Sequence, residues 1–196
     1  MKTICVFSGT HRGACSEYSA AAKALARSIA ERDLRMVYGG GSIGLMAVVA
    51  DAALAAGAEV IGVIPEQIAD LEGAHSGLSE LRVTGSMHER KAIMADLSDG
   101  FVALPGGFGT LEEFAEVLTW SQLGLQSKPC GLLNIADYYS PLLAFFDHAV
   151  TEQFVRPQHR EMILADIDPG RLLDNMQQWT PPHAGKWLDK EDLAAS

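Results

Sequence analysis

Short apolar runs alternate with longer helical patterns, glycine-rich turns join several of the runs to the pattern that follows, and no Ser/Pro/Gly-rich linker interrupts the 196 residues. Together these predict an α/β protein: a single-domain, doubly wound Rossmann-like fold on a mainly parallel sheet of about six to seven strands. The apolar runs Thr3 to Phe7, Arg35 to Tyr38, Glu59 to Ile64, Glu80 to Val83, Gly100 to Leu104 and Cys130 to Asn134 are the predicted strands. The patterns between them predict helices over about Ser16 to Glu31, Ile43 to Ala56, Met87 to Leu97, Thr110 to Leu123 and Ser140 to Glu152. Ser16 stands at the start of the first, and Ser86 precedes Glu89 by the spacing of a capping box. Two shorter helices, Gln158 to Ile163 and Pro169 to Gln178, close a domain spanning residues 1–180, and the Pro181-Pro182 pair with the mixed-charge residues behind it predicts a poorly ordered tail over 181–196.

Composition narrows the function. With 48% hydrophobic residues the chain holds a core unaided, and 15 Lys+Arg against 25 Asp+Glu give a net charge of −10, which opposes nucleic-acid polymers and anionic membranes as partners. Cys5, Cys15 and Cys130 form no CxxC pair, which favours a reducing, cytoplasmic setting. The opening run to Ser8 is too short for a signal peptide, and Asp51 and Glu59 interrupt the Ala/Gly-rich stretch that follows, so no membrane span is expected. The six histidines show no ligand spacing, and neither a metal nor a cofactor is expected.

In an open α/β sheet, ligands sit beyond the carboxyl ends of the strands. Three turns there are rich in small residues: Ser8 to Gly13, Gly39 to Gly44, and Pro105 to Thr110. Glycines let backbone N–H groups approach an anion, and the next helix's N-terminus adds partial positive charge, so phosphate is the natural guest. Gly39, Gly41 and Gly44 also satisfy GxGxxG, with Glu66 near the place of a ribose-binding acid, but the match falls on the second strand, and tight turns use glycine in any case. In the third turn, Thr110 and Glu113 read equally as a helix cap with its capping box or as groups facing a ligand. Arg90 and Lys91 bring two cations to the start of a helix, where the macrodipole opposes them; a bound anion or a nearby carboxylate explains them, and so does a solvated face. The segment Phe114 to Leu125 is more apolar than a solvent-facing helix needs, while Tyr138-Tyr139 and Phe145-Phe146 read as core.

The stretches Tyr38-Gly39-Gly40-Gly41-Ser42-Ile43-Gly44-Leu45-Met46, Ser86-Met87-His88-Glu89-Arg90-Lys91, Pro105 through Glu113 (PGGxGTxxE) and Thr119-Trp120-Ser121-Gln122-Leu123-Gly124 resemble the LONELY GUY (LOG) family, also labelled lysine decarboxylase-like. The likeness runs from about Val6 to about Leu164. It implies a phosphoribohydrolase that splits the N-glycosidic bond of an adenine-type nucleoside 5′-monophosphate, plain or N6-prenylated, releasing base and ribose 5-phosphate. It further implies Arg90 and Glu113 as catalytic residues, with Gly106, Gly107, Gly109 and Thr110 on the phosphate. Lys91 is implied as a weaker substrate contact, Ser8 and Gly9 as bordering the site, and the Phe114–Leu125 region as a homodimer contact. His11 and Arg12 depart from the family's small-residue run. A close Arg90–Glu113 pair would keep the carboxylate ionised. A decarboxylase would need a Schiff-base lysine, for which Lys23, Lys128, Lys186 and Lys190 are poor candidates. The alternatives are a nucleotide-binding or carrier protein without turnover and, on the GxGxxG alone, a dinucleotide-dependent oxidoreductase.

Overall fold

A computed structural model describes residues 1–182, so the expected tail over 181–196 lies almost wholly outside the described residues. Seven strands, β1 (Thr3–Phe7), β2 (Arg35–Tyr38), β3 (Val60–Pro65), β4 (Glu80–Thr84), β5 (Gly100–Ala103), β6 (Cys130–Leu133) and β7 (Ile163–Asp166), form one parallel sheet in the order β4-β3-β2-β1-β5-β6-β7. The helices are α1 (Ser16–Ala30), α2 (Gly44–Ala55), α3 (Glu66–Glu72), α4 (Met87–Leu97), α5 (Phe108–Gln122), α6 (Ser140–Thr151), α7 (Pro157–Arg160) and α8 (Pro169–Gln178).

The inner strands read as unbroken apolar runs because both faces are covered. Ile4 and Val6 of β1 point into a core shared with Leu25 and Ile29 of α1, Val49 of α2 and Leu172 of α8. Cys5 and Phe7 point the other way, into a core built with Met94 of α4 and Phe114 and Val117 of α5. β1 pairs with β2 on one side and β5 on the other, so the direction of winding reverses between β1 and β5. The loops leaving these two strands therefore diverge and open a crevice, where this architecture binds ligands.

Several expectations change. β7 takes Ile163, which the sequence reading assigns to the end of a helix; four residues with one buried side chain and no alternation carry almost no periodic signal. α3, not expected, begins at Glu66, placing that side chain exposed at a helix start outside the site described below, which removes it as a ribose ligand. Cys15, not Ser16, caps α1. Of the aromatic pairs expected in the core, Tyr139 is fully buried, but Tyr138 is 40% exposed and Phe145, facing outward on α6, 61% exposed.

Phe101 is fully buried and stacks on Phe7 at 5.9 Å between ring centroids. Phe101→Ala is expected to cost about 3–5 kcal/mol, read as a lowered urea midpoint.

Candidate active site

The turn after β5 begins with Pro105 and runs into α5, whose N-cap is Gly107 with no side-chain cap. Thr110 and Glu113 are thus the third and sixth residues of the helix, and the capping-box reading of the pair falls away. Both are buried, at 4% and 8% exposure. Gly9, leaving β1, donates its N–H to the Pro105 carbonyl at 3.2 Å and packs against Gly106. A side chain at Gly106 would collide with Thr110 Oγ1, whereas Gly107 and Gly109 have open space where a Cβ would stand. Backbone at the start of a fifteen-residue helix is therefore left accessible beside a threonine hydroxyl.

Arg90 lies in the first turns of α4, after Ser86 has capped the helix through the Glu89 N–H at 3.2 Å. Glu89 returns its carboxylate to the Gly85 N–H, one residue before the position a capping box predicts. The guanidinium is buried and held from three sides: Nε donates to the Val63 carbonyl at 3.1 Å, Nη2 to the Gly39 carbonyl at 3.3 Å, and Nη1 meets Met87 Sδ at 3.7 Å. A side chain on Gly39 would run into Nη2, so this glycine of the GxGxxG stretch makes room for an arginine. Gly44, at φ +64°, packs on the Thr10 backbone and fastens α2 to the first loop. Gly39 and Gly44 thus serve close packing.

Arg90 Nη2 stands 3.7 Å from Glu113 Oε1, an ion-pair distance without a hydrogen bond. Arg90 favours the ionised acid, as a close pair should, but burial is the larger influence and pushes Glu113 up to about 6, which still leaves it ionised at neutral pH.

Ser8, Gly9, Arg90, Gly107, Gly109, Thr110 and Glu113 line one pocket of about 270 Å³. Ser8 Oγ is buried without a hydrogen-bond partner, and neither Thr110 Oγ1 nor the Glu113 carboxylate makes a hydrogen bond among the described residues. Gly106 is set behind this pocket, in an adjoining cavity of about 260 Å³ with His11 and Tyr138, whose hydroxyl donates to the Gly106 carbonyl at 2.5 Å. Lys91 is not in the pocket: its Nζ pairs with Glu112 and, at 3.1 Å, with Glu116 on the flank of α5. No lysine among the described residues lines the pocket; Lys128 donates to the Ala95 carbonyl, and Lys186 and Lys190 lie outside the described residues.

Sequence reasoning missed the apolar wall of Met46, Ile68, Met87 and Phe108. Ile68 arrives on the unexpected α3, and Phe108 occupies the variable place of the PGGxGT motif, 94% exposed at the rim. It also missed the carbonyls that anchor Arg90, because a backbone acceptor carries no side-chain signature.

The folded protein holds the Glu113 proton more tightly than the unfolded chain, so stability is fully present below pH 4.5 and is lost as pH rises through about 6. Glu113→Gln removes that loss and is expected to stabilise the protein by about 2 kcal/mol at pH 8, with the gain vanishing below pH 4.5, as read from urea unfolding at both values.

Residues 46–176 match the family described as "Possible lysine decarboxylase". A cytokinin riboside 5′-monophosphate phosphoribohydrolase of Rhodococcoides fascians is 51% identical over 168 residues, covering 85% of this chain and 85% of that protein. One from Arabidopsis thaliana is 46% identical over 182 residues, covering 93% of this chain and 85% of that protein. Among solved structures, the molybdenum cofactor binding protein of Rippkaea orientalis (TM-score 0.68, 24% identity, 90% of this chain and 96% of that one) and the molybdenum cofactor carrier protein of Chlamydomonas reinhardtii (0.67, 23%, 90% and 96%) share the fold.

Proposed function

The chain belongs to the LOG family, and from that membership we infer that it is a nucleoside 5′-monophosphate phosphoribohydrolase, a hydrolase that releases an adenine-type base and ribose 5-phosphate. The observation that carries the reading is the pocket's unspent polar groups: the Ser8 hydroxyl, buried without a partner, beside the Thr110 hydroxyl and the Glu113 carboxylate, which make no hydrogen bond with the protein and face the same cavity. A buried hydroxyl left without a partner costs stability unless a ligand engages it. A carrier needs no carboxylate beside an anionic guest, so the enzyme reading is the better supported.

In this reading the phosphate rests on the exposed start of α5, held by Gly107, Gly109 and Thr110, with Gly106 shaping the turn from behind. Ser8 and Gly9 border the sugar from the β1 side. Of the five guanidinium N–H groups of Arg90, three are taken by Val63, Gly39 and Met87, and two remain for the substrate. The C1′–N bond breaks with its electron pair passing to the base, which gains a proton from solvent; a water oxygen bonds C1′ and gives its proton to Glu113. The same carboxylate stabilises the positive charge that grows on the sugar. No cofactor enters this scheme. Lys91, bound in ion pairs with Glu112 and Glu116, holds α4 against α5 and so supports the site from outside.

We propose a cytoplasmic location; no helix among the described residues is long and apolar enough to cross a membrane. The assembly we propose is a homodimer, supported by apolar exposure at Leu123, Leu125, Phe145 and Phe154, with Phe114 and Val117 of the same region spent on the core.

Incubation with AMP and with isopentenyladenosine 5′-monophosphate, followed by chromatography, is expected to yield free base and ribose 5-phosphate. Glu113→Gln is expected to lower kcat by about 10²–10⁴-fold, and Arg90→Ala by about 10²-fold or more, in protein whose circular dichroism is unchanged. Absence of release from both nucleotides, with binding retained, overturns the reading. Because the carboxylate must be ionised to take a proton, kcat/KM is expected to fall as pH drops through about 6, and a flat acid limb would remove Glu113 as the base.

A further inference from the structure

A groove of about 570 Å³, larger than the catalytic pocket, runs between α1 and α2. Its two walls differ in kind. From α1 come Lys23 and Arg27, one turn apart on the same face, and from the loop after β1 comes Arg12. From α2 come Val48, Ala52 and Ala55, which make a low apolar floor. The acid at the groove, Asp51, is engaged by His75 Nε2 at 2.9 Å.

Among the described residues, the Lys and Arg side chains without a hydrogen bond or an ion pair are Lys2, Arg12, Lys23 and Arg27, and three of these four line this one groove. Like charges at i and i+4 repel; the last turn of α1 favours Arg27, but Lys23 lies outside that turn, and the carboxylate in the groove, Asp51, is paired with His75. In a chain of net charge −10, with acids abundant everywhere else, the gathering of unpaired cations around a concave surface needs a ligand-side reason.

We propose that this groove is a second ligand site, separate from the catalytic pocket, that binds a nucleoside polyphosphate: phosphates against Arg12, Lys23 and Arg27, and the flat base over the floor of Val48, Ala52 and Ala55. The volume suits a ligand of that size. The small floor residues admit a planar ring at van der Waals distance, which a bare inorganic anion would not use. The groove also has a route to the catalytic pocket. Arg12 belongs to the loop whose Gly9 and Thr10 line that pocket, and Gly44 of α2 is packed directly on the Thr10 backbone. Occupancy is therefore felt at the active site as a change in KM for the nucleotide substrate.

Calorimetric titration of the full chain with ATP in magnesium-free buffer tests the site without relying on hydrolysis, so it stands or falls apart from the enzymatic reading. The expected result is saturable binding that weakens about tenfold in the Lys23→Gln/Arg27→Gln double variant and is unchanged in Thr110→Val. The double variant should retain wild-type hydrolysis of AMP in the absence of ATP. Adenosine and inorganic tripolyphosphate, each lacking half of the chemistry, should bind more weakly than ATP. Equal affinity in wild type and double variant, loss of binding in Thr110→Val instead, tripolyphosphate binding as tightly as ATP, or no saturable binding would each overturn the proposal.

Discussion

Two backbone carbonyls, at Gly39 beyond β2 and at Val63 within β3, fix the Arg90 guanidinium, and the candidate site depends on that fixing. Arginine is suited to the task because its planar fork satisfies several acceptors at once and retains its charge when buried. Anchored to the sheet, the guanidinium cannot swing onto Glu113 and form the bidentate pair that would neutralise both groups. It stops at 3.7 Å, near enough to moderate the acid and too far to saturate it. The carboxylate is left poised near 6, ionised at neutral pH yet able to accept a proton. A tighter pair would make a more stable protein and a poorer base.

The rest of the site follows from the same economy of contact. Parallel strands bring the ends of β1, β2 and β5 to one edge, but their loops meet closely only because Gly9, Gly39, Gly44 and Gly106 present no side chain where neighbours must pass. Two other glycines, Gly107 and Gly109, look into open space. Glycine here has two separate uses: close packing behind the pocket, and bare backbone facing into it.

The sheet was legible in the sequence wherever a strand is buried on both faces, because β1, β2 and β5 read as continuous apolar runs. β7 was not: the other edge strand, β4, alternates Glu80 and Arg82 with Leu81 and Val83, whereas Ile163-Leu164-Ala165-Asp166 has no such alternation, and α3 was hidden behind Pro65. The Arg90–Glu113 pair was visible as a motif, but its electrostatics were not: the sequence places Arg90 near Glu113 and says nothing of carbonyls competing for the guanidinium. Spacing likewise misjudged Thr110 as a possible cap, because the helix starts two residues earlier, at Phe108. Lys91, next to Arg90 in the chain, turns to the other side of α4 and spends its charge on α5.

Phe108 joins two environments that are usually kept apart. Its ring is 94% exposed at the rim, while its backbone sits in the first turn of α5. The side chain can change without disturbing the turn that supports it, which makes this position a natural attachment point for an optical reporter. Cys5 and Cys130 are buried, and Cys15 is partly covered, so a thiol introduced at 108 would be the most accessible one among the described residues. A dye carried there would sit at the entrance of the pocket and register each arrival and departure of a guest in its emission.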